Sequence, residues 1–374
     1  MKRFVFILFI FCFSAANAEN ALDSIAKSDT IGFETIAKEK KPSLFKRGVK
    51  FVSKVFDWLN DIDTTYIEPQ HYNFTAMIQN TNTYEVYTLK SKKGSSIRFS
   101  PEPNIKIGPY FGWRWVFLGY TFDVLHLNTG TKKELDLSFY TSAFGLDLFY
   151  RKTGNDYKLR SININNGNTT TFDNVKFDGL NVGIKGLNIY YIFNHKHFSY
   201  PAAFSQSTRQ KKSCGSAMLG VGITKHDIDF DYNKLQQTLQ KNIAGYDQEI
   251  DEGLMFSKAE YLDLSVSGGY AYNFVFAKNW LLSASLSLAV GYKRSVGDVK
   301  TQDREANEFS FNNLNIDGVG RFGIVWNNDK WFAGASTIIH SYNYSKPQFQ
   351  TSNIFGNLNV YFGMNFGKRK EYKK

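Results

Sequence analysis

The chain has 374 residues, is 43% hydrophobic and 17% aromatic, and holds 34 Phe and 22 Tyr; its formal net charge is +11 and its mean hydropathy −0.35. The aromatic content excludes a disordered chain. With no internal apolar run near ~18 residues, a bundle of membrane helices is excluded as well. The length fits two or three small domains or one large β domain.

The first residues read as a secretory leader. Lys2 and Arg3 precede the apolar run 4–13, and Ala16-Asn17-Ala18 forms a small-residue cleavage site, so the mature chain is expected to begin at Glu19. That cut removes Cys12 and leaves Cys214, which allows neither an internal disulfide nor a Cys-based metal site. Export without disulfides fits a bacterial envelope protein. Losing Lys2 and Arg3 lowers the net charge by two units and leaves it strongly positive. The basic residues form no single stripe, and export argues against nucleic acid as a partner. Anionic envelope lipid or polysaccharide accounts better for the excess.

Residues 19–42 are polar and aperiodic and read as a flexible lead. Residues 43–60 read as a basic amphipathic helix with Ser43 as N-cap. Phe45, Val49, Val52, Phe56 and Leu59 recur at helical spacing, with Lys46, Lys50 and Lys54 on another face. Such a helix either lies on a membrane surface or packs against the end of the following domain.

From residue 72 the period becomes two. The expected strands are 72–89, 97–111, 114–127, 137–151, 156–164, 179–195, 214–228, 262–276, 280–292, 314–326, 331–345 and 354–366. In 179–195 the apolar face switches from Leu180, Val182 and Ile184 to Leu187, Ile189, Tyr191 and Phe193; Gly186 at the switch points to a β-bulge. The clearest strand is 280–292. Trp280, Leu282, Leu286, Leu288, Val290 and Tyr292 share one face, and Ser283, Ser285, Ser287 and Gly291 the other. At ~3.4 Å per residue and a tilt of ~40°, such a strand crosses the hydrocarbon with an aromatic residue at each end. A soluble sandwich would carry more Lys, Glu and Thr on its second face.

The connections give an independent check. Short turns are expected at 112–113, 152–155, 277–279 and 328–330, on the side where both chain ends lie. Longer loops are expected at 90–96, 128–136, 165–178, 229–260, 296–313 and 346–353. The connection 196–213 is too long for a turn of this kind: either it folds inward or the strand count is off there.

No nucleophile elbow, zinc-protease motif, phosphate loop or dinucleotide fingerprint appears in a supporting context. The serines of 280–292 read as small lumen-lining residues rather than nucleophiles. His195 and His197 are the one pair spaced like metal ligands on a strand, but no further ligand lies nearby in sequence. His126 and His226 fall near outer strand ends and read as solvated polar residues. The alternation aims Lys106, Asp123, Asp147, Asp263, Asp317 and Arg321 into the lumen, where charges must be paired or wet. They either interlock as a plug or line a narrow polar pathway or ligand pocket. Trp113, Trp115, Trp280, Tyr292 and Trp326 read as aromatic girdle, with Arg114 snorkelling to the headgroups. A sugar-stacking platform is the alternative for the Trp113/Trp115 pair.

Several blocks resemble a known family: Asp63-Thr64-Thr65-Tyr66-Ile67, Tyr72-Asn73-Phe74-Thr75, Pro109-Tyr110-Phe111-Gly112-Trp113-Arg114-Trp115 with Leu118-Gly119-Tyr120, and Tyr200-Pro201-Ala202-Ala203-Phe204-Ser205-Gln206. Together they resemble an uncharacterised family of Bacteroidota envelopes, the domain of unknown function 4421, over about residues 60–367. The resemblance implies an exported outer-membrane barrel and makes the long 196–213 connection a family feature. It supplies no reaction, ligand or catalytic residue.

The expected organisation is a signal peptide at 1–18, a periplasmic lead at 19–66, a barrel at 67–367 and a basic tail at 368–374. The fold class is all-β, an antiparallel transmembrane β-barrel of about twelve strands (ten to fourteen). The leading function is a non-enzymatic, monomeric outer-membrane component without cofactor, either a narrow channel or a binding or structural barrel. Its partners would be outer-membrane lipid or lipopolysaccharide, or a small polar solute or glycan. The alternatives are a barrel enzyme acting on lipid or lipopolysaccharide at the outer rim, and a soluble periplasmic β protein holding a lipid or glycan among inward aromatics.

Overall fold

Among the described residues of this computed structural model, eighteen strands and two α-helices make up the fold. The structure describes residues 61–113, 116–119, 122–123, 133–154, 156–164, 167–244, 246, 250–295, 313–345 and 349–373. The leader, the lead with its expected helix 43–60, Arg114, Trp115 and His126 lie outside the described residues. Asp123 is described by its backbone alone.

In chain order the strands are β1 (Ile67–Pro69), β2 (Tyr72–Ser91), β3 (Ser96–Pro101), β4 (Asn104–Trp113), β5 (Val116–Gly119), β6 (Phe122–Asp123), β7 (Lys133–Tyr140), β8 (Phe144–Lys152), β9 (Tyr157–Asn163), β10 (Thr169–Phe177) and β11 (Leu180–Ile192). Helix α1 (Tyr200–Phe204) and β12 (Thr208–Gln210) follow, then β13 (Cys214–Phe230), helix α2 (Tyr232–Asn242), β14 (Lys258–Ala277), β15 (Trp280–Ser295), β16 (Leu314–Asn327), β17 (Trp331–Ser345) and β18 (Phe349–Lys368). No helix among the described residues is long and apolar enough to cross a membrane.

One antiparallel ladder runs β7-β8-β11-β13-β14-β15-β16-β17-β18-β2-β4, and β4 continues to β5 and β6. The curl of this sheet follows from contacts between distant members. Arg321 on β16 pairs with Asp147 on β8, five strands away along the ladder. In a flat sheet those strands would stand ~24 Å apart, at ~4.8 Å per step. Lys106 on β4 meets Glu134 on β7 at 2.8 Å and ties β7, at one end of the ladder, to β4 near the other. The fold is an all-β antiparallel barrel.

Taking β5 and β6 as one stave, the described residues supply twelve staves, yet two of the expected ones are different. The expected strand 137–151 is a hairpin: β7 descends, Thr141-Ser142-Ala143 turns, and β8 ascends. The expected strand 156–164 is no stave. β9 pairs with β3 and β10 at the loop end, so 152–155 is not a turn on the side of the chain ends. The two errors cancel in the count. The expected strand 97–111 also breaks at Glu102-Pro103 into β3 and β4, which pair with upper and lower parts of β2. Proline lacks the N–H that a continuous ladder needs.

The expected bulge at Gly186 is absent. β11 pairs with β13 and with β8 in unbroken register across it. Even positions of β11 face inward throughout, and what changes is the surroundings. Above Gly186, Leu180, Val182 and Ile184 are buried in an interior core while Lys185 is exposed; below it Ile189 is exposed on the outside. β13 switches the same way, from outward Leu219, Val221 and Ile223 to inward Ile228 and Phe230. Leu187, Ile223, Leu264, Tyr292 and Leu314 stand in one registered row across β11, β13, β14, β15 and β16. That row is the upper rim of an outward apolar belt. Gly186 serves packing instead, since a Cβ there would lie 2.4 Å from the Phe149 ring.

At the lower rim Phe74 stacks on Phe366 at 5.5 Å, and Phe276 lies 5.9 Å from Trp280. Trp113 and Trp280 are exposed, and Trp326 and Tyr292 half-buried. Exposed Leu, Ile, Val, Phe and Tyr cover the wall between the rims. A contiguous apolar surface of this extent is far beyond what a soluble monomer leaves bare.

Candidate functional site in the lumen

Inside the curled sheet the described residues form three buried groups: an inward-folded connection, two charge clusters and an aromatic core. At the turn end the connection between β11 and β13 folds inward, which resolves the anomaly of 196–213. Ser199 caps α1 by accepting from the Ala202 N–H at 3.2 Å, and Pro201 occupies the first turn, where no N–H is missed. Tyr200, Ala202 and Ala203 are buried. The plug is pinned by hydrogen bonds from three directions. Tyr200 Oη donates to Ser285 Oγ at 2.7 Å, Gln206 Nε2 to Tyr361 Oη at 2.7 Å, and Asn273 Nδ2 to Ser199 O at 2.8 Å. Phe204 packs over Gly323, 3.5 Å from where a Cβ would stand, an ordinary contact distance.

β12 of this plug pairs with β1, Glu68 opposite Arg209, in a separate two-stranded sheet. The barrel wall proper therefore begins at β2. Asp63 braces the same junction. It accepts from the Thr65 N–H at 2.8 Å and faces His197 Nε2 at 3.4 Å. The Thr65 hydroxyl and N–H hold its carboxyl below the usual carboxylate range, with a smaller contribution from His197 and Lys212. A depressed folded-state value adds stability above the ordinary carboxylate pKa and loses it as pH falls through the folded value. Hydrogen exchange at the β1 amides should therefore accelerate on acidification into that range, and D63N should flatten the response. Equal acid sensitivity in D63N would remove Asp63 from this account.

Above the plug lie two charge clusters. Arg321 (3% exposed) pairs with Asp147, which also accepts from Ser138 Oγ at 2.7 Å. The guanidinium lies 5.2 Å from the Tyr190 ring centre. Lys293 (0% exposed) stands 2.8 Å from Asp317 and 3.7 Å from Asp263, and donates to the Asn343 carbonyl. The Asn343 N–H donates to Asp317 Oδ1 at 2.8 Å. Gly291 makes room for Asp263, whose Oδ1 lies 2.3 Å from a Cβ built there. Of the expected lumen residues, Asp147 and Arg321 meet, Asp263 and Asp317 meet through Lys293, and Lys106 pairs with Glu134 at the seam. Arg151 pairs with Asp136 at 2.7 Å. Lys293, Arg151 and Glu134 were missed by the sequence reading. Lys293 continues the Ser287–Gly291 face one step past the expected strand end, and that parity was the available signal.

At the loop end the interior is an aromatic and aliphatic core that includes Tyr87, Phe99, Tyr157, Phe177, Tyr261 and Phe349, all buried. Leu235 and Leu239 of α2 dip into it. Asp231 caps α2 by accepting from the Lys234 N–H at 3.0 Å. His226 is not the solvated residue expected. It is 1% exposed and stacked on Tyr261, ring centres 4.5 Å apart, because its even position faces inward. His340 stacks on Phe355 at 4.9 Å. His195 and His197 lie in the turn after β11 and do not converge: His195 Nδ1 meets the Ile192 carbonyl at 3.2 Å, His197 Nδ1 the Asn194 side chain at 2.9 Å. Among the described residues no cluster of three or more His, Cys, Asp or Glu is placed to hold a metal.

Residues 61–366 match the family described as Domain of unknown function (DUF4421). The chain belongs to that family. No curated protein matches it. Among solved structures it is similar to the outer membrane protease OmpT from Escherichia coli, at 8% identity over 81% of this chain and 100% of that one, TM-score 0.33. It is also similar to the outer membrane protein OprG from Pseudomonas aeruginosa, at 9% identity over 80% and 98%, TM-score 0.23. The toluene transporter TodX of P. putida matches at 11% identity over 79% and 91%, TM-score 0.23.

Proposed function

We propose that this family member is an outer-membrane barrel with a closed lumen, acting as a non-enzymatic binding or structural component of the envelope. The belt between the Leu187–Leu314 row and the Phe74–Phe366 rim supports insertion in a bilayer. The side of longer connections, which carries α2 and the β9–β10 hairpin, would face outward. One observation carries the closed reading: Arg321 of one charge cluster lies 6.0 Å from the ring centre of Tyr200 in the turn-end plug, and Lys293 of the other lies 6.0 Å from that of Tyr261 in the loop-end core. Of the two sequence expectations for the lumen charges, interlocking is favoured over a polar pathway. The buried His226 and His340 stack on aromatic rings, which weighs against their use as general bases.

Extraction should require detergent, and the unboiled protein should migrate differently from the boiled one. In a planar bilayer it should give no steady conductance. Release from membranes without detergent would end the insertion reading. A steady conductance would end the closed-lumen reading and restore the channel.

A further inference from the structure

Above the belt, the outward face of one sector of the sheet has a built character. β2, β3, β9 and β10 continue upward as a four-stranded apron whose inner face is buried in the loop-end core. On the outer face Thr88, Arg98, Ser161 and Thr171 stand in one registered row across all four strands. Lys90 follows along β2. Arg160 is the extra residue where the β3–β9 register shifts between Arg98 and Phe99, so Arg160 and Ser161 both lie opposite Arg98. These six residues help line one shallow concavity of about 350 Å³. Among the described residues lining it there are three cations, several hydroxyls and no carboxylate.

The concavity begins where the belt stops. Its outward parity on β2 runs down through Val86 to the exposed Tyr84, and Val86 is paired with Ile354 of β18, also exposed on the wall. A ligand seated here would lay its apolar part on the wall and its head on the apron. Arg forks and Lys match phosphate oxygens, and the Thr and Ser hydroxyls match sugar hydroxyls. We infer that the apron binds the head group of a phosphorylated glycolipid of the surrounding outer leaflet. This rests on the insertion reading above.

The test uses the full chain in detergent micelles doped with diphosphoryl lipid A, its dephosphorylated form, or phosphatidylglycerol, with retained lipid counted by native mass spectrometry. The parent should retain diphosphoryl lipid A at least tenfold better than either other lipid. The K90Q/R98Q/R160Q variant should lose that preference while keeping its heat-shifted gel mobility, and R98Q alone should lose about threefold. Undiminished retention by either variant would overturn the site. Equal retention of phosphatidylglycerol would reduce it to a general anionic contact. Displacement of lipid A by soluble glucosamine phosphate would make a free glycan the ligand instead. Recovery of the chain without detergent is a separate failure, that of the insertion reading.

Discussion

Arg321→Met should lower the free energy of unfolding in detergent micelles by about 3–5 kcal/mol. The reason is the charge left behind. Asp147 is buried on β8 and would keep only the Ser138 hydroxyl as hydrogen-bond partner among its two described contacts. Tyr190 would lose the cation beside its ring. The double variant D147L/R321M removes both charges and should recover most of the loss, because two apolar groups of similar volume need no partner in a dry interior. Urea titration followed by tryptophan fluorescence reads both. A single-variant loss below ~1 kcal/mol would mean that water already reaches the pair, contrary to a closed lumen.

Lys293→Met should cost at least as much, again about 3–5 kcal/mol, since it strands two carboxylates instead of one. Asp263 has no other cation within ion-pair distance among the described residues, and Asp317 would retain the Asn343 N–H. The triple variant D263N/K293M/D317N should unfold at a urea concentration close to that of the parent. Arg321 and Lys293 share no ion-pair partner, so their losses should add within ~0.5 kcal/mol. A large deviation from additivity would mean that the two clusters act as one network.

The parts of this fold that were legible from sequence are those where a single rule governs the whole strand. β14, β15, β16 and β18 cross the belt with apolar even positions and small polar odd ones, and the alternation alone located them. The rule fails where the surroundings change along one strand. On β11 an apolar inside gives way to an apolar outside at the belt rim, and a period-two reading takes that for a geometric slip. The expected strand 137–151 spans both β7 and β8 because Thr141-Ser142-Ala143 lacks the Gly or Pro that marks most turns. The change of outward parity from Leu135 and Leu137 to Leu148 was the overlooked signal. β9 reads as a stave because Tyr157, Leu159 and Ile162 are buried, but its other face, with Arg160 and Ser161, is unsuited to the hydrocarbon of a bilayer. For the lumen, alternation supplied which charges face inward. Which of them meet depends on the curl that brings β8 opposite β16, and no local pattern encodes it.

Because β2 pairs with β18 from Tyr72–Lys368 to Ser91–Phe349, the first barrel strand waits for the last. Thr75 reaches its partner Asn365 across a separation of 290 residues. Contacts so remote form late and slow the whole process. Until then one edge of β2 offers unpaired backbone groups to any passing strand. β1 changes the order of events, because its partner β12 lies much nearer to it in sequence than β18 lies to β2. Docked there, it anchors the start of β2 at the turn end while the remaining staves are added. Breaking the β1–β12 pairing should therefore delay assembly and promote aggregation more than it weakens the finished barrel.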